Sequence, residues 1–449
     1  MKVKVEELSS VQRRVTVEIP SSQVDKALQK IFQGIKRQAR IKGFRQGKVP
    51  RAILEKYYGP QAAGQAAEDL ISDSYSQALE EANLEPVAQP DFDFDPPQGG
   101  KDFIYKLTLD VKPEFELETD SYKKLELKEP KLEVTDEQIS ERIEALRDQQ
   151  AVLVPMEEER PAATGDVVIV NYQSMVDGEP VEGGEADNVE VELGKGQVQE
   201  EIEVALLKTK PGDMVETKVT YDDSAANPQV RGKEVVFKLL VKEIKTKALP
   251  DLDDDFARSV NPQFENLQAL EERLRQELSK AYEEQKESVL RRQILEKVAD
   301  LGDFELPGSL VDSEIRQMVA SFKNRMEQSG GTLEQAGMNE AALAEQFKGT
   351  AEQKVRTGIV LARIADLEKV EVSDADLEAE YAKISERLGQ PVESIKQIYI
   401  KNNMIESLKA QVMEENTLQA IKADAIIKKV DPAQLAKEIE EKGQEDRKE

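Results

Sequence analysis

The sequence predicts a multidomain, elongated α+β protein. It should comprise an N-terminal α+β domain (1–112), a linker (113–150), a small antiparallel β domain (151–246), an all-α body with arms (247–432) and a disordered charged tail (433–449). Three observations carry this reading. The length of 449 residues suggests roughly three domains. Hydrophobic periodicity changes along the chain, from a strand–helix alternation, to short turn-separated strands, to long helical stripes. Apolar content is 39% and aromatic content 5%, low for one compact globule of this size.

The composition also excludes chemistry. The chain has no Cys, no His and no Trp. A Ser-His-Asp triad, a Cys nucleophile and a thiolate or imidazole zinc site are therefore impossible. No disulfide can form, which fits a reducing compartment. No apolar run approaches 18 residues, so no membrane partner is expected. The start, MKVKVEELSS, lacks an apolar signal core, and a cytoplasmic location is expected. The net charge is −28, but it is uneven. Residues 26–54 hold nine basic side chains and no acid, which leaves −37 on the other 420 residues once that +9 is set aside. Solvated helix faces normally interleave acids with bases, so the island points to a local anionic partner.

In the first domain Val15, Val17 and Ile19 alternate with Thr16 and Glu18, as in a half-buried strand. Val24, Leu28, Ile31, Phe32 and Ile35 then form one helical stripe, ending near Gly43. Pro50 announces a second helix that should stop at Gly59, and a third should run from Ala66 to Leu84. Two short strands are expected near 86–94 and 102–111. Between the first helices lies Gly43-Phe44-Arg45-Gln46-Gly47-Lys48-Val49-Pro50. Its glycines and proline make it a loop. An ordinary helix–helix turn does not need Phe44 beside two cations. Such a tip suits insertion of an apolar knob while Arg45 and Lys48 pair with acids or phosphates.

The run GFRQGKVP resembles the ribosome-docking signature of the trigger factor family, bacterial chaperones that bind the ribosome. The resemblance implies docking on the large ribosomal subunit beside the nascent-chain exit, against a ribosomal protein and adjacent ribosomal RNA. It assigns Gly43, Phe44, Arg45, Gly47 and Lys48 to that role, with Gln46 at a variable position of the signature. Residues 111–151 resemble the linker of the same family, and Thr135–Gln138 supplies a capping box for a helix carrying Ile139, Ile143 and Leu146.

Residues 151–246 read as short strands with turns at Asp177-Gly178, Pro211-Gly212 and Gly232-Lys233. Gly194-Lys195-Gly196 lacks the spacing of a phosphate-binding loop. The order of motifs resembles an FKBP-type peptidyl-prolyl cis-trans isomerase. That activity needs no acid or base, because a dry aromatic pocket favours rotation over a barrier of roughly 20 kcal/mol. The resemblance places Tyr172, Ile202, Tyr221 and Phe237 in the pocket. Several aromatic positions are lost. Pro180 is nearest to one, Gln199-Glu200-Glu201-Ile202-Glu203 replaces an isoleucine-proline-glycine-phenylalanine-glutamate run, Val215 replaces an aromatic, and Ser224-Ala225 replaces a tyrosine. Each ring buries 150–250 Å², so such a pocket should hold proline poorly. A degenerate isomerase domain with weak or absent activity is expected.

Residues 247–432 read as helices, opening with Leu249–Phe256, whose acids lack EF-hand spacing and read as a cap. A long helix spans about 266–300, another begins at Pro307 and stops at Gly330-Gly331, and others cover 340–369, 374–388, 392–412 and 416–429. Met318, Phe322, Met326 and Met404 are candidate contacts for unfolded chains, since Met adapts to varied apolar surfaces. In trigger factors this region cradles nascent chains.

The expected function is that of an ATP-independent chaperone docking at the ribosome exit and holding nascent and unfolded polypeptides open for folding or export. No nucleotide motif, cofactor or metal site is expected. The family resemblance adds a weak homodimer off the ribosome. The alternative is a stand-alone peptidyl-prolyl cis-trans isomerase. A general RNA-binding role fails on the −37 outside the island.

Overall fold

The computed structural model describes residues 1–156, 160–222, 225, 227 and 229–445. It divides into two compact units, one formed by residues 1–131 with the chain from 286 onward, the other by residues 132–285.

The first unit opens with strands β1 (Lys2–Glu7) and β2 (Gln12–Ile19), helices α1 (Ser21–Gln38) and α2 (Arg51–Ala82), then β3 (Asp91–Phe94) and β4 (Phe103–Asp110). The strands form an antiparallel sheet in the order β1-β2-β4-β3, with Val15 opposite Leu107 and Val17 opposite Tyr105. Val15, Val17 and Ile19 alternate with polar residues because one face of the sheet meets the helices. On α2, Ala62, Ala66, Leu70, Ser74 and Ala78 recur every four residues and are buried against that sheet. The small side chains allow close approach, and Ser74 Oγ and Tyr105 OH meet at 2.8 Å.

Three expectations change here. β1 has a sequence too charged to announce itself. The strand expected over 86–94 shortens to Asp91–Phe94, with Pro86 making only an isolated bridge to Val111. The helix expected to stop at Gly59 continues, so one helix replaces two. Pro60 removes the bond to the Lys56 carbonyl, but both residues are exposed and water can donate to that carbonyl in place of the missing N–H, while the alanine stripe beyond holds the helix to the sheet.

The chain continues through α3 (Thr119–Tyr122) and β5 (Glu126–Pro130). In the second unit, α4 (Asp136–Gln149) starts at the expected capping box of Thr135 and Gln138. Strands β6 (Val152–Pro155), β7 (Val167–Val176) and β8 (Glu179–Glu192), helix α5 (Glu200–Leu206), and strands β9 (Met214–Thr220) and β10 (Glu234–Ala248) build the β domain. All pairings are antiparallel. β10 lies against β7 along one side, and against β9 and β6 on the other. β7 and β8 form a hairpin at Asp177-Gly178, where both residues have positive φ (54° and 86°), as a primed turn requires. Helix α6 (Asp254–Val260) is capped by Asp253, which accepts from Phe256 N at 2.9 Å, so the acidic run acts as a cap.

Helices α7 (Leu267–Ala299), α8 (Gly308–Gln328), α9 (Glu340–Glu368), α10 (Asp374–Leu388), α11 (Val392–Lys401) and α12 (Ile405–Asp424) follow, then strand β11 (Ile426–Val430) and helix α13 (Pro432–Glu445). The two helices expected over 392–412 and 416–429 are divided differently. The chain breaks at Asn403, whose φ is +53°, and Ile426–Val430 forms a parallel strand on β5, with Ile426 opposite Glu126. The tail expected to be disordered over 433–449 is helical to Glu445, because Leu435 is buried and Glu438 pairs with Lys128 of β5. Residues 446–449 lie outside the described residues. Among the described residues no helix is long and apolar enough to cross a membrane, and no cluster of carboxylates could hold a metal.

Candidate functional site

The loop between α1 and α2 is held at both ends and exposed in the middle. Ala39 and Val49 are buried in the domain core. Between them run two successive turns, Phe44 N to Ile41 O (3.1 Å) and Lys48 N to Arg45 O (3.0 Å). Gly43 (φ +94°) and Gly47 (φ +78°) occupy the third position of each, where a type II turn needs positive φ. A Cβ at either glycine would meet nothing within 4 Å, so backbone conformation, not space, requires them. Gln46 ties the loop back through its amide to Arg37 O at 3.0 Å.

These turns leave Phe44 41% exposed and Arg45 and Lys48 in solvent. Of the nine island cations, Arg51 pairs with Glu55 at 2.7 Å and lies 5.1 Å over the Phe32 ring. Among the described residues the other eight, Arg45 and Lys48 included, pair with no carboxylate. The site offers an apolar knob within an uncompensated positive field, which suits an anionic partner with an apolar depression.

The β domain holds a second site. Tyr172, Ile202, Tyr221 and Phe237 all line one cleft of about 490 Å³. Tyr172 and Phe237 stand 6.1 Å apart, tilted by 54°. Ile202 of α5 is buried, and Gln199 donates from Nε2 to the Tyr221 hydroxyl at 3.0 Å. Burial pushes the Tyr221 pKa up, with Tyr172 and Glu201 adding to it, so the phenol stays protonated at neutral pH. Gly184 cannot carry a side chain, since a Cβ would fall 2.0 Å from Ser174 Oγ, which donates to Gly184 O at 2.8 Å.

The wall differs from the expectation in detail. Val181, not Pro180, reaches the cleft; Val215 packs on the domain core; Ala225 lines the wall, while Ser224 lies outside the described residues. Val189, Val191, Val198 and Val230 also line it. Sequence reasoning missed them because valine is the ordinary residue of any strand. The cleft therefore has three aromatic rings within a mainly aliphatic lining.

On α8, Met318, Phe322 and Met326 share one face at i, i+4 and i+8, half-buried, with Phe322 edge-on to Phe347 of α9 at 6.0 Å. Met404 is apart from this stripe, 41% exposed at the start of α12. A groove of about 1050 Å³, lined in part by Phe115, Leu310, Val355 and Ile359, was not legible in the sequence.

Antiparallel strands with a short helix over an aromatic cleft define the FKBP class of isomerase domain, and the family model for FKBP-type peptidyl-prolyl cis-trans isomerase matches residues 158–241. The models for bacterial trigger factor protein and its C-terminus match residues 1–146 and 266–423. Trigger factor of Halalkalibacterium halodurans is 34% identical over 404 residues, covering 89% of this chain and 93% of the relative. Those of Geobacillus kaustophilus and Bacillus subtilis are 36% and 35% identical, covering 89% and 88% of this chain and 94% of each relative. The chain belongs to the trigger factor family.

Proposed function

We propose that this chain is an ATP-independent chaperone that docks at the nascent-chain exit of the large ribosomal subunit and holds emerging polypeptides open. The exposed Phe44 among eight cations that pair with no carboxylate among the described residues carries the reading. Arg45 and Lys48 contact ribosomal RNA or acidic side chains, Phe44 enters an apolar depression of the exit-site protein, and Gly43 and Gly47 set the turns. Clients contact the apolar stripe of Met318, Phe322 and Met326 and the exposed Met404. Such patches give weak, multivalent contacts that release without nucleotide. The protein works in the cytoplasm and self-associates weakly off the ribosome. Functional boundaries follow residues 1–112, 113–150, 151–246 and 247–432.

The β domain contributes a surface for unfolded chains with weak isomerase activity, because Ile202 stands where an aromatic floor would grip proline. A stand-alone isomerase is the second reading, favoured by the convergence of Tyr172, Tyr221 and Phe237 on one cleft. Two assays on the same protein, both without ATP, separate the readings. The chaperone reading expects aggregation of a chemically unfolded client to be suppressed, with little acceleration of a proline-limited refolding step. Acceleration matching an intact FKBP, without suppression, would favour the isomerase.

A further inference from the structure

We infer that Gln199 is a positioning residue for prolyl-peptide binding, turning the Tyr221 hydroxyl so that its proton is offered to a backbone carbonyl of the bound peptide. The inference rests on reading the β-domain cleft as a peptide pocket.

Both ends of the pair are fixed. Gln199 is the N-cap of α5, with φ −59° and ψ 145°, and Tyr221 follows β9 with its own N–H bonded to Lys233 O at 3.0 Å. A phenol has one proton to donate and an oxygen that accepts. The Tyr221 oxygen accepts from Gln199 Nε2 at 3.0 Å, so the phenol proton is not used in that bond. Ser174, another hydroxyl of the cleft, is committed to Gly184 O. Tyr221 is thus placed to serve a ligand carbonyl, and its raised pKa keeps the proton available.

The same bond explains a residue that otherwise weakens the pocket. Gln199 stands where the family's run carries an isoleucine, and Ile202 replaces the aromatic floor. An oriented donor at the mouth recovers part of the grip that the floor has lost. Donation to a carbonyl does not reduce the double-bond character of the C–N bond, so the contribution is to binding, not to the rotation step.

The test uses the full chain and a capped, uncharged Leu-Pro-Phe peptide, with the Ile202 δ1 methyl resonance as a probe inside the cleft. Gln199→Glu keeps the shape and reverses the polarity, because its carboxylate accepts the phenol proton. Its dissociation constant should rise about tenfold, as for one lost hydrogen bond, and that of Gln199→Leu by a smaller factor. The Tyr221 ring carbon bearing the hydroxyl, assigned by its loss in Tyr221→Phe, should titrate at higher pH in Gln199→Glu than in the parent. That shift shows the introduced carboxylate at the hydroxyl, and a larger loss of affinity in Gln199→Glu than in Gln199→Leu is the result a merely structural role would not produce. Equal affinity and unchanged Tyr221 titration in Gln199→Glu would overturn the inference while leaving the pocket reading intact. No Ile202 shift with the parent protein would overturn both.

Discussion

Asp110, the last residue of β4, accepts a hydrogen bond from the backbone N–H of Ser309, the second residue of α8, at 2.8 Å. Pro307 provides no side-chain cap for α8, so a residue almost 200 positions earlier satisfies one of its open N–H groups. Gln12 Nε2 donates to the same carboxylate at 3.1 Å, and Ser10 Oγ donates to Glu305 at 2.7 Å nearby. The α+β domain that carries the exposed Gly43–Pro50 loop is thereby joined to α8, the helix that bears Met318, Phe322 and Met326. Burial alone would push the Asp110 pKa up, but the hydrogen bonds from Ser309 and Gln12 outweigh it and hold the carboxyl below its usual range.

Asp110→Ala should therefore cost about 1–2 kcal/mol, the scale of a lost cap, read by urea unfolding. The amides of Ser309 and Leu310 should exchange faster with solvent. Unchanged exchange at those two amides would show that the cap is not a coupling element.

Asp166 gives a pH prediction. It is 3% exposed, receives two bonds from Arg160 at 2.5 and 2.7 Å, and accepts from Ala163 N at 2.8 Å. The Arg160 guanidinium holds its pKa down against burial, with the Ala163 bond helping. A carboxyl whose folded pKa is lowered stabilises the protein fully above its unfolded value of about 3.9. That contribution is lost as pH falls through the folded value. Asp166→Ala should cost about 3 kcal/mol at pH 7. The gap to the parent in thermal melts should narrow below about pH 4. A gap independent of pH down to the acid limit would contradict the assignment.

The proposed weak isomerase activity rests on Ile202. Ile202→Phe should restore an aromatic floor and raise prolyl isomerisation of a short peptide by roughly tenfold, the scale of one well-placed apolar group. No increase, with the domain still folded, would show that the weak floor is not the cause.

The legible parts of the fold were those with local signals. Val24–Ile35 showed its helical stripe, Thr135 and Gln138 their capping box, and Asp177-Gly178 its hairpin. The tip was legible because two glycines, a proline and unpaired cations crowd into eight residues. What escaped depends on distant partners. Ile426–Val430 reads as helix until β5, 300 residues away in sequence, pairs with it. The second helix reads as stopping at Gly59 because nothing local says that Lys56, whose partner N–H is lost at Pro60, can face water. In the cleft the aromatic positions were readable, whereas Val181 of β8 and Gln199 at the start of α5 come to its wall only through the fold of the chain.

Co-sedimentation with ribosomes over a salt titration tests the central claim most directly. The parent should bind at low salt and weaken steeply as salt rises, since unpaired cations release counterions from RNA. Phe44→Ala with Arg45→Ala and Lys48→Ala should abolish co-sedimentation while leaving aggregation suppression in free solution intact. Ribosome binding by the triple variant equal to that of the parent across the titration would contradict the docking account.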